Sequence, residues 1–166
     1  LEIENCLINK NQKSDTEAKN LFVLENSTLA LENCELISQF EDSGTIVNSS
    51  NSVVLIDNCG IINQSASYAA IISANFSKVR VRGSRVSAIS ETSVAFSAHD
   101  GEVELESNSC KVIGTIGRIA EFIGLRCSLS SNTFIGEVDT TRNSSAIWKD
   151  GNVRVLADQN NVIKGF

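Results

Sequence analysis

The chain has 166 residues, 42% of them hydrophobic, 5% aromatic and 20% charged, with no proline, no methionine and a formal net charge of −6. That apolar content excludes an intrinsically disordered segment and suffices for one domain with a core of thin aliphatic layers. The acidic balance disfavours nucleic acid or an anionic membrane as partner, and the longest apolar runs, such as 21–24 and 68–72, fall far short of the roughly 20 residues that span a bilayer.

From the first residue onward, an apolar doublet followed by a small polar turn returns every 24 to 28 residues: Leu1 and Ile3, Leu29 and Leu31, Val54 and Ile56, Val79 and Val81, Val103 and Leu105, Cys127 and Leu129, Val153 and Val155. Such a period marks a solenoid, in which a repeat buries its apolar face only by stacking on its neighbours. The turn reads Glu4-Asn5-Cys6, Glu32-Asn33-Cys34, Asp57-Asn58-Cys59 and Arg82-Gly83-Ser84, and a second apolar pair follows at Leu36 and Ile37, Ile61 and Ile62, or Val86 alone. The units at Val103 and Val153 carry two more residues before Val112 and Ile113, or Val162 and Ile163, as a bulge would. Ahead of each later doublet lies a third element: Phe22 and Leu24, Val47 and Ser49, Ile72 and Ala74, Phe96 and Ala98, Ala120 and Phe122, Ala146 and Trp148. Period-two alternation, β-branched enrichment and intervening turn compositions such as His99-Asp100-Gly101-Glu102 argue three short strands per coil.

Period, strand count and the asparagine at the tight turn together resemble the right-handed parallel β-helix, the superfamily of pectate-lyase-like folds and parallel β-helix repeats. The resemblance spans the whole chain and implies an all-β solenoid of about seven coils in one unit, residues 1–166, with the asparagines stacked in a hydrogen-bonded ladder. Asn5, Asn33 and Asn58 occupy the ladder position, Gly83 interrupts it, and Asn108, Asn132 and Asn160 or Asn161 resume it with shifts. At about 4.8 Å per coil the rod is roughly 34 Å long. With no Met at the start and a first residue already inside a repeat, the segment is expected to belong to a longer chain.

The stretch Lys78-Val79-Arg80-Val81-Arg82 opposes the acidic balance. Alternation points Arg80 and Arg82 outward, between Leu55 and Asp57 on one neighbouring coil and Glu104 and Glu106 on the other. An ion-pair ladder of Asp57 with Arg82 and Arg82 with Glu106 is one reading. A site for an anion or acidic sugar formed by Glu32, Asp57, Arg80 and Arg82 is the other. In the resembled family, catalysis uses the outward face of the strand before the doublet. Period two places Leu21, Ile46, Ile71, Ala95 and Ile119 on that face here, with Glu121 its one carboxylate, too few for paired acid and base or for Ca²⁺. Such an apolar stripe, if open to water, marks an interface with another chain, another domain or a second copy; the alternatives are cover by the loops 9–20, 38–44, 63–68 and 136–143, or a strand phase displaced by one residue.

Five cysteines leave an odd thiol and contain no Cys-x-x-Cys pair, and the one histidine, His99, lies in a turn, so no zinc or other cofactor is expected. Cys6, Cys34 and Cys59 fall at one position on successive coils with Ser84 next, Cys110 is roughly aligned with them, and Cys127 replaces a strand leucine. Stacked interior thiols acting as small hydrophobes account for this pattern better than a disulfide framework. Sequons begin at Asn26, Asn48, Asn63, Asn75 and Asn143 and matter only in a eukaryotic secretory setting. The resemblance implies a non-catalytic stalk or binding segment of a secreted or surface-displayed bacterial protein of the adhesin or autotransporter-passenger kind. A polysaccharide lyase or glycoside hydrolase is the first alternative, and a tailspike-like module oligomerising through the stripe is the second. Either way the partner is a protein surface, a second copy or a glycan.

Overall fold

The computed structural model describes residues 1–12, 19–139 and 144–166. The first coil comprises β1 (Glu2–Glu4), β2 (Leu7–Gln12) and β3 (Lys19–Glu25), and the second β4 (Thr28–Glu32), β5 (Glu35–Phe40) and β6 (Ser43–Ser50). The third holds β7 (Val53–Asp57), β8 (Gly60–Gln64) and β9 (Tyr68–Asn75), and the fourth β10 (Lys78–Arg82), β11 (Arg85–Ile89) and β12 (Thr92–His99). The fifth holds β13 (Glu102–Glu106), β14 (Ser109–Gly114) and β15 (Ile116–Ile123), and the sixth β16 (Arg126–Ser130), β17 (Thr133–Val138) and β18 (Ser145–Asp150). A partial seventh adds β19 (Arg154–Gln159) and β20 (Val162–Lys164). The structure is thus an all-β parallel solenoid of six complete coils, one fewer than the period suggests, because the last doublet has no third strand.

Every strand pairs in parallel with its counterpart one coil on, giving sheet 1 (β1-β4-β7-β10-β13-β16-β19), sheet 2 (β2-β5-β8-β11-β14-β17-β20) and sheet 3 (β3-β6-β9-β12-β15-β18). The doublets fill the core from sheet 1: Leu29, Leu31, Val54, Ile56, Val79, Val81, Val103, Leu105, Cys127 and Leu129 are all buried. A fully buried aliphatic side chain contributes about 1.5–3 kcal/mol, and the identical stacking from coil to coil explains why the apolar pairs recur at a fixed period. The two-residue insertion expected before Val112 does not exist. Cys110 pairs with Val86 and Val112 with Ala88, so Cys110 is a core residue of sheet 2 and lies outside the thiol row. In the last coil the extra residue is real and sits within β19, where the register slips at Cys127/Ser128 and Leu156 bulges outward.

The turn between sheets 1 and 2 carries two parallel columns. One is left-handed backbone at Asn5, Asn33, Asn58, Gly83, Ser107, Ser131 and Asn160, with φ between 52° and 57° throughout. Asparagine and glycine tolerate this conformation best, so Gly83 continues the backbone column although, without a side chain, it interrupts the amide ladder as expected. The other is formed by the next residue of each coil, Cys34, Cys59, Ser84, Asn108, Asn132 and Asn161, most of it buried. From Cys59 onward each side chain accepts the backbone N–H of its counterpart one coil earlier: Cys59 Sγ from Cys34 at 3.4 Å, Ser84 Oγ from Cys59 at 3.0 Å, then Asn108, Asn132 and Asn161 Oδ1 at 3.0 Å each. The asparagine ladder is therefore divided: Asn58 Nδ2 donates to Asn33 Oδ1 at 2.6 Å in the outer column, whereas Asn108, Asn132 and Asn161 continue the inner one. A comparable serine column lies at the turn into sheet 1, where Ser52 Oγ accepts from Ser27 N–H and Ser77 Oγ from Ser52 N–H, both at 3.1 Å.

Sheet 3 departs from simple alternation. In each pair of its strands the register skips one residue, at Leu21/Ile46, Ile46/Ile71, Ile71/Ala95, Ala95/Ile119 and Ile119/Ala146. At Ile46–Val47, Ile71–Ile72, Ala95–Phe96 and Ile119–Ala120 two consecutive side chains enter the core. The strands bend there, and the stacked bends run the length of the sheet.

Candidate functional site

The bend overturns the outward assignment of the apolar stripe. Ile46, Ile71, Ala95 and Ile119 are each 0% exposed, and Leu21 is partly buried against the same core. Period two assigns them to the surface because it assumes unbroken alternation; two adjacent inward residues reverse the phase. The stripe is core packing. Covering loops are unnecessary, and much of the expected loop 38–44 belongs to β5 and β6. Residues 13–18 of the expected loop 9–20 and residues 140–143 of the expected loop 136–143, with the sequon at Asn143, lie outside the described residues. The last strand is also displaced from its expected alignment, since Ala120 pairs with Ile147 and Glu121 with Trp148.

On the outer face of sheet 1, the register sets Arg80 between Leu55 and Glu104 and Arg82 between Asp57 and Glu106. The pairing is diagonal as well as straight. Arg80 Nη2 binds Asp57 Oδ2 at 3.1 Å, Arg82 Nη2 binds Glu104 Oε1 at 2.6 Å, and Arg82 Nε lies 3.0 Å from Glu106 Oε2. Asp57 therefore pairs with Arg80 and not with the expected Arg82. Glu102 is held by Lys78 at 3.3 Å and Arg126 at 3.0 Å. The hydrogen bond with Glu104, helped by the charges of Glu104, Glu106 and Asp57, holds the Arg82 guanidinium above its ordinary pKa. Glu32 stands beside Asp57 in register, so Glu32, Asp57, Arg80 and Arg82 are neighbours as expected, but the two guanidinium groups already face carboxylates.

A cluster unmarked in the sequence lies on the outer face of sheet 3. Arg118 and Glu121, both in β15, form an ion pair about one-quarter exposed, and the Arg118 guanidinium lies 5.2 Å from the Trp148 ring centroid on the next coil. Tyr68, two coils back, is within electrostatic reach: burial raises its phenol pKa, and the Glu121 carboxylate adds to the rise. The chain's only tryptophan thus stands against one ion pair, with the only tyrosine further along the sheet in line with Ile116. From it the outward row runs back through Ser97, Ser73 and Asn48 to Val23. The bend assembles this group by turning Arg118 outward immediately before the inward pair Ile119–Ala120. Sequence reasoning found Glu121 but missed the rest, because Tyr68, Arg118 and Trp148 come from three different coils.

The arrangement suits recognition: an aromatic face, a guanidinium and a carboxylate bordered by small hydroxyls and an amide. Glu121 is the one carboxylate of the cluster and is neutralised by Arg118. Among the described residues no group of three or more His, Cys, Asp and Glu side chains could hold a metal ion, and no helix is long and apolar enough to cross a membrane. All five cysteines are free thiols. Burial raises Cys59 to a pKa of about 11 and lifts Cys110 and Cys127 in the same direction, which suppresses the nucleophilic thiolate. Compared with known protein families, with curated proteins and with solved structures, the chain has no match in any of the three.

Proposed function

We propose that this solenoid is a right-handed, pectate-lyase-like β-helix serving as a non-catalytic stalk or recognition segment of a larger secreted or surface-displayed bacterial protein, of the adhesin or autotransporter-passenger kind. The observation that carries the reading is the commitment of the carboxylates that surround the outward arginines. Asp57, Glu102, Glu104 and Glu106 on sheet 1 and Glu121 on sheet 3 are each ion-paired to a cation. Glycoside hydrolysis instead needs a proton-bearing acid facing a second carboxylate across the scissile bond. Right-handedness follows the general preference of parallel crossover connections. Recognition is assigned to the outer face of sheet 3 around Arg118, Glu121 and Trp148, because a ligand there meets an aromatic ring without first dismantling the sheet 1 network.

Two assays test this. Incubation with pectin and with neutral polysaccharides should release neither reducing ends nor unsaturated products; turnover that Glu121→Gln abolishes would establish an enzyme instead. Adhesion of protein-coated beads to immobilised polysaccharides and matrix proteins should fall in Trp148→Ala while its melting temperature stays unchanged. Equal adhesion by the folded variant would remove the sheet 3 face from the proposal.

A further inference from the structure

On the far side of the molecule, at the corner where sheet 2 turns into sheet 3, a cleft of about 500 Å³ is lined by the side chains of Asn11, Gln39, Gln64, Phe40, Glu41 and Ser65. Its size lies in the range of small-ligand sites. Asn11 pairs in register with Gln39 and Gln39 with Gln64, so three carboxamides stand in one row at the coil spacing of about 4.8 Å. All three residues are exposed, and among the described residues none of these carboxamides has a hydrogen-bond partner within the protein. Ser65 gives a second, independent signal. It is only 7% exposed, and its hydroxyl is buried without a hydrogen-bond partner, a condition that buried polar groups rarely keep unless something else satisfies them.

The base of the cleft is rigid. Phe40 is buried beneath it, with the Lys10 ammonium 5.6 Å from its ring centroid. The glycine at position 44 leaves the space that the Phe40 ring fills. Behind it Asn63, fully buried, accepts from Ser38 Oγ at 3.0 Å and donates to the carbonyls of Gly44 and Ala70 at 2.8 and 2.7 Å, tying sheet 2 to sheet 3. Beside the amide row on the same outer face, Ile37 and Ile62 stand in register and remain 38% and 39% exposed.

We propose that this cleft binds a neutral oligosaccharide laid along the solenoid axis. A carboxamide both donates and accepts, as does each sugar hydroxyl, and the coil spacing is close to the advance of one sugar residue in an extended chain. The isoleucine pair offers apolar surface to the C–H face of a pyranose ring. Among the described residues lining the cleft there is no cation to hold an anionic sugar or a phosphate. A peptide would need an open strand edge or deep apolar pockets, whereas the strands beside the cleft are already paired on both sides at Gln39. The site is separate from the sheet 3 face and stands or falls independently of it.

The test is a glycan array carrying neutral β-glucan, mannan, galactan and xylan oligosaccharides alongside polygalacturonate, followed by calorimetry on any bound oligosaccharide. Retention of a neutral glycan is expected. Gln39→Ala combined with Gln64→Ala should weaken it roughly 30-fold, the loss of two neutral hydrogen bonds, with the melting temperature unchanged because both side chains are exposed. Ser65→Ala should weaken binding without lowering stability, since its hydroxyl has no partner to lose, and Trp148→Ala should leave binding intact. Retention of polygalacturonate alone, no retention of any neutral glycan, or binding insensitive to the double variant would each overturn the proposal.

Discussion

Asn132→Ala tests whether the inner column of the first turn holds the coils together. The Asn132 side chain is 1% exposed and makes four hydrogen bonds. It donates to Leu105 O at 2.8 Å and Asn161 Oδ1 at 2.9 Å, and it accepts from Asn108 N–H at 3.0 Å and Asn108 Nδ2 at 3.1 Å. At about 1 kcal/mol per neutral hydrogen bond the truncation costs about 4 kcal/mol, chiefly because the buried Asn108 N–H and Leu105 carbonyl lose their partners. Asn132→Ser should cost about half as much, since Ser84 at the equivalent position shows that a hydroxyl accepts the neighbouring N–H at 3.0 Å while donating to its own strand at 2.8 Å. Chemical denaturation gives the stability differences, and amide hydrogen exchange at Asn108 reads the local loss directly. A cost below about 1 kcal/mol for the alanine variant, with Asn108 still protected, would refute the column as a structural element.

Ile71→Asp should destabilise the monomer by more than about 4 kcal/mol, because it removes a core side chain and buries an unpaired carboxylate; a folded variant with altered self-association would restore the stripe to the surface. Cys59 ionises near 9.0 in its ordinary state and about 11 in the fold, so the folded protein retains this proton more tightly. Its contribution to stability is therefore intact below pH 9 and falls as pH rises from about 9 to 11, and Cys59→Ser should flatten that part of a melting-temperature profile; an unchanged slope would dismiss burial of this thiol as a source. Glu121→Gln removes a charge that raises the Tyr68 phenol, so ultraviolet titration should show Tyr68 ionising at lower pH than in the parent, and an identical midpoint would separate the two residues.

The solenoid is legible because each doublet, Leu29 with Leu31 through Cys127 with Leu129, answers to the same physical demand one coil later. The phase of sheet 3 is harder to read. Its strands keep the same period, yet Ala69 to Ile72 and Ser93 to Phe96 run as four consecutive buried residues, a pattern that alternation cannot produce and that marks the bend. The charged row was readable in its residues but not in its pairs, since a long guanidinium can reach diagonally: Arg80 bypasses Leu55 for Asp57. The identity of the inner turn column was concealed by substitution, because cysteine, serine and asparagine look unrelated until all are seen accepting the same N–H. Neither candidate site could be found from spacing, since each is assembled from separate coils and only the register joins them.

The inner column of the first turn and the serine column at the turn into sheet 1 also give the rod a direction in time. In both, the accepting side chain always belongs to the later coil: Ser77 satisfies Ser52, and Asn161 satisfies Asn132. The asparagine amides reach backward too, from Asn108 to Val81, Asn132 to Leu105 and Asn161 to Leu129. As the chain leaves the ribosome, each emerging coil carries the groups that latch it onto the one already made. The nascent tip is consequently always the unsatisfied end, its backbone N–H groups waiting for the side chains of the next coil.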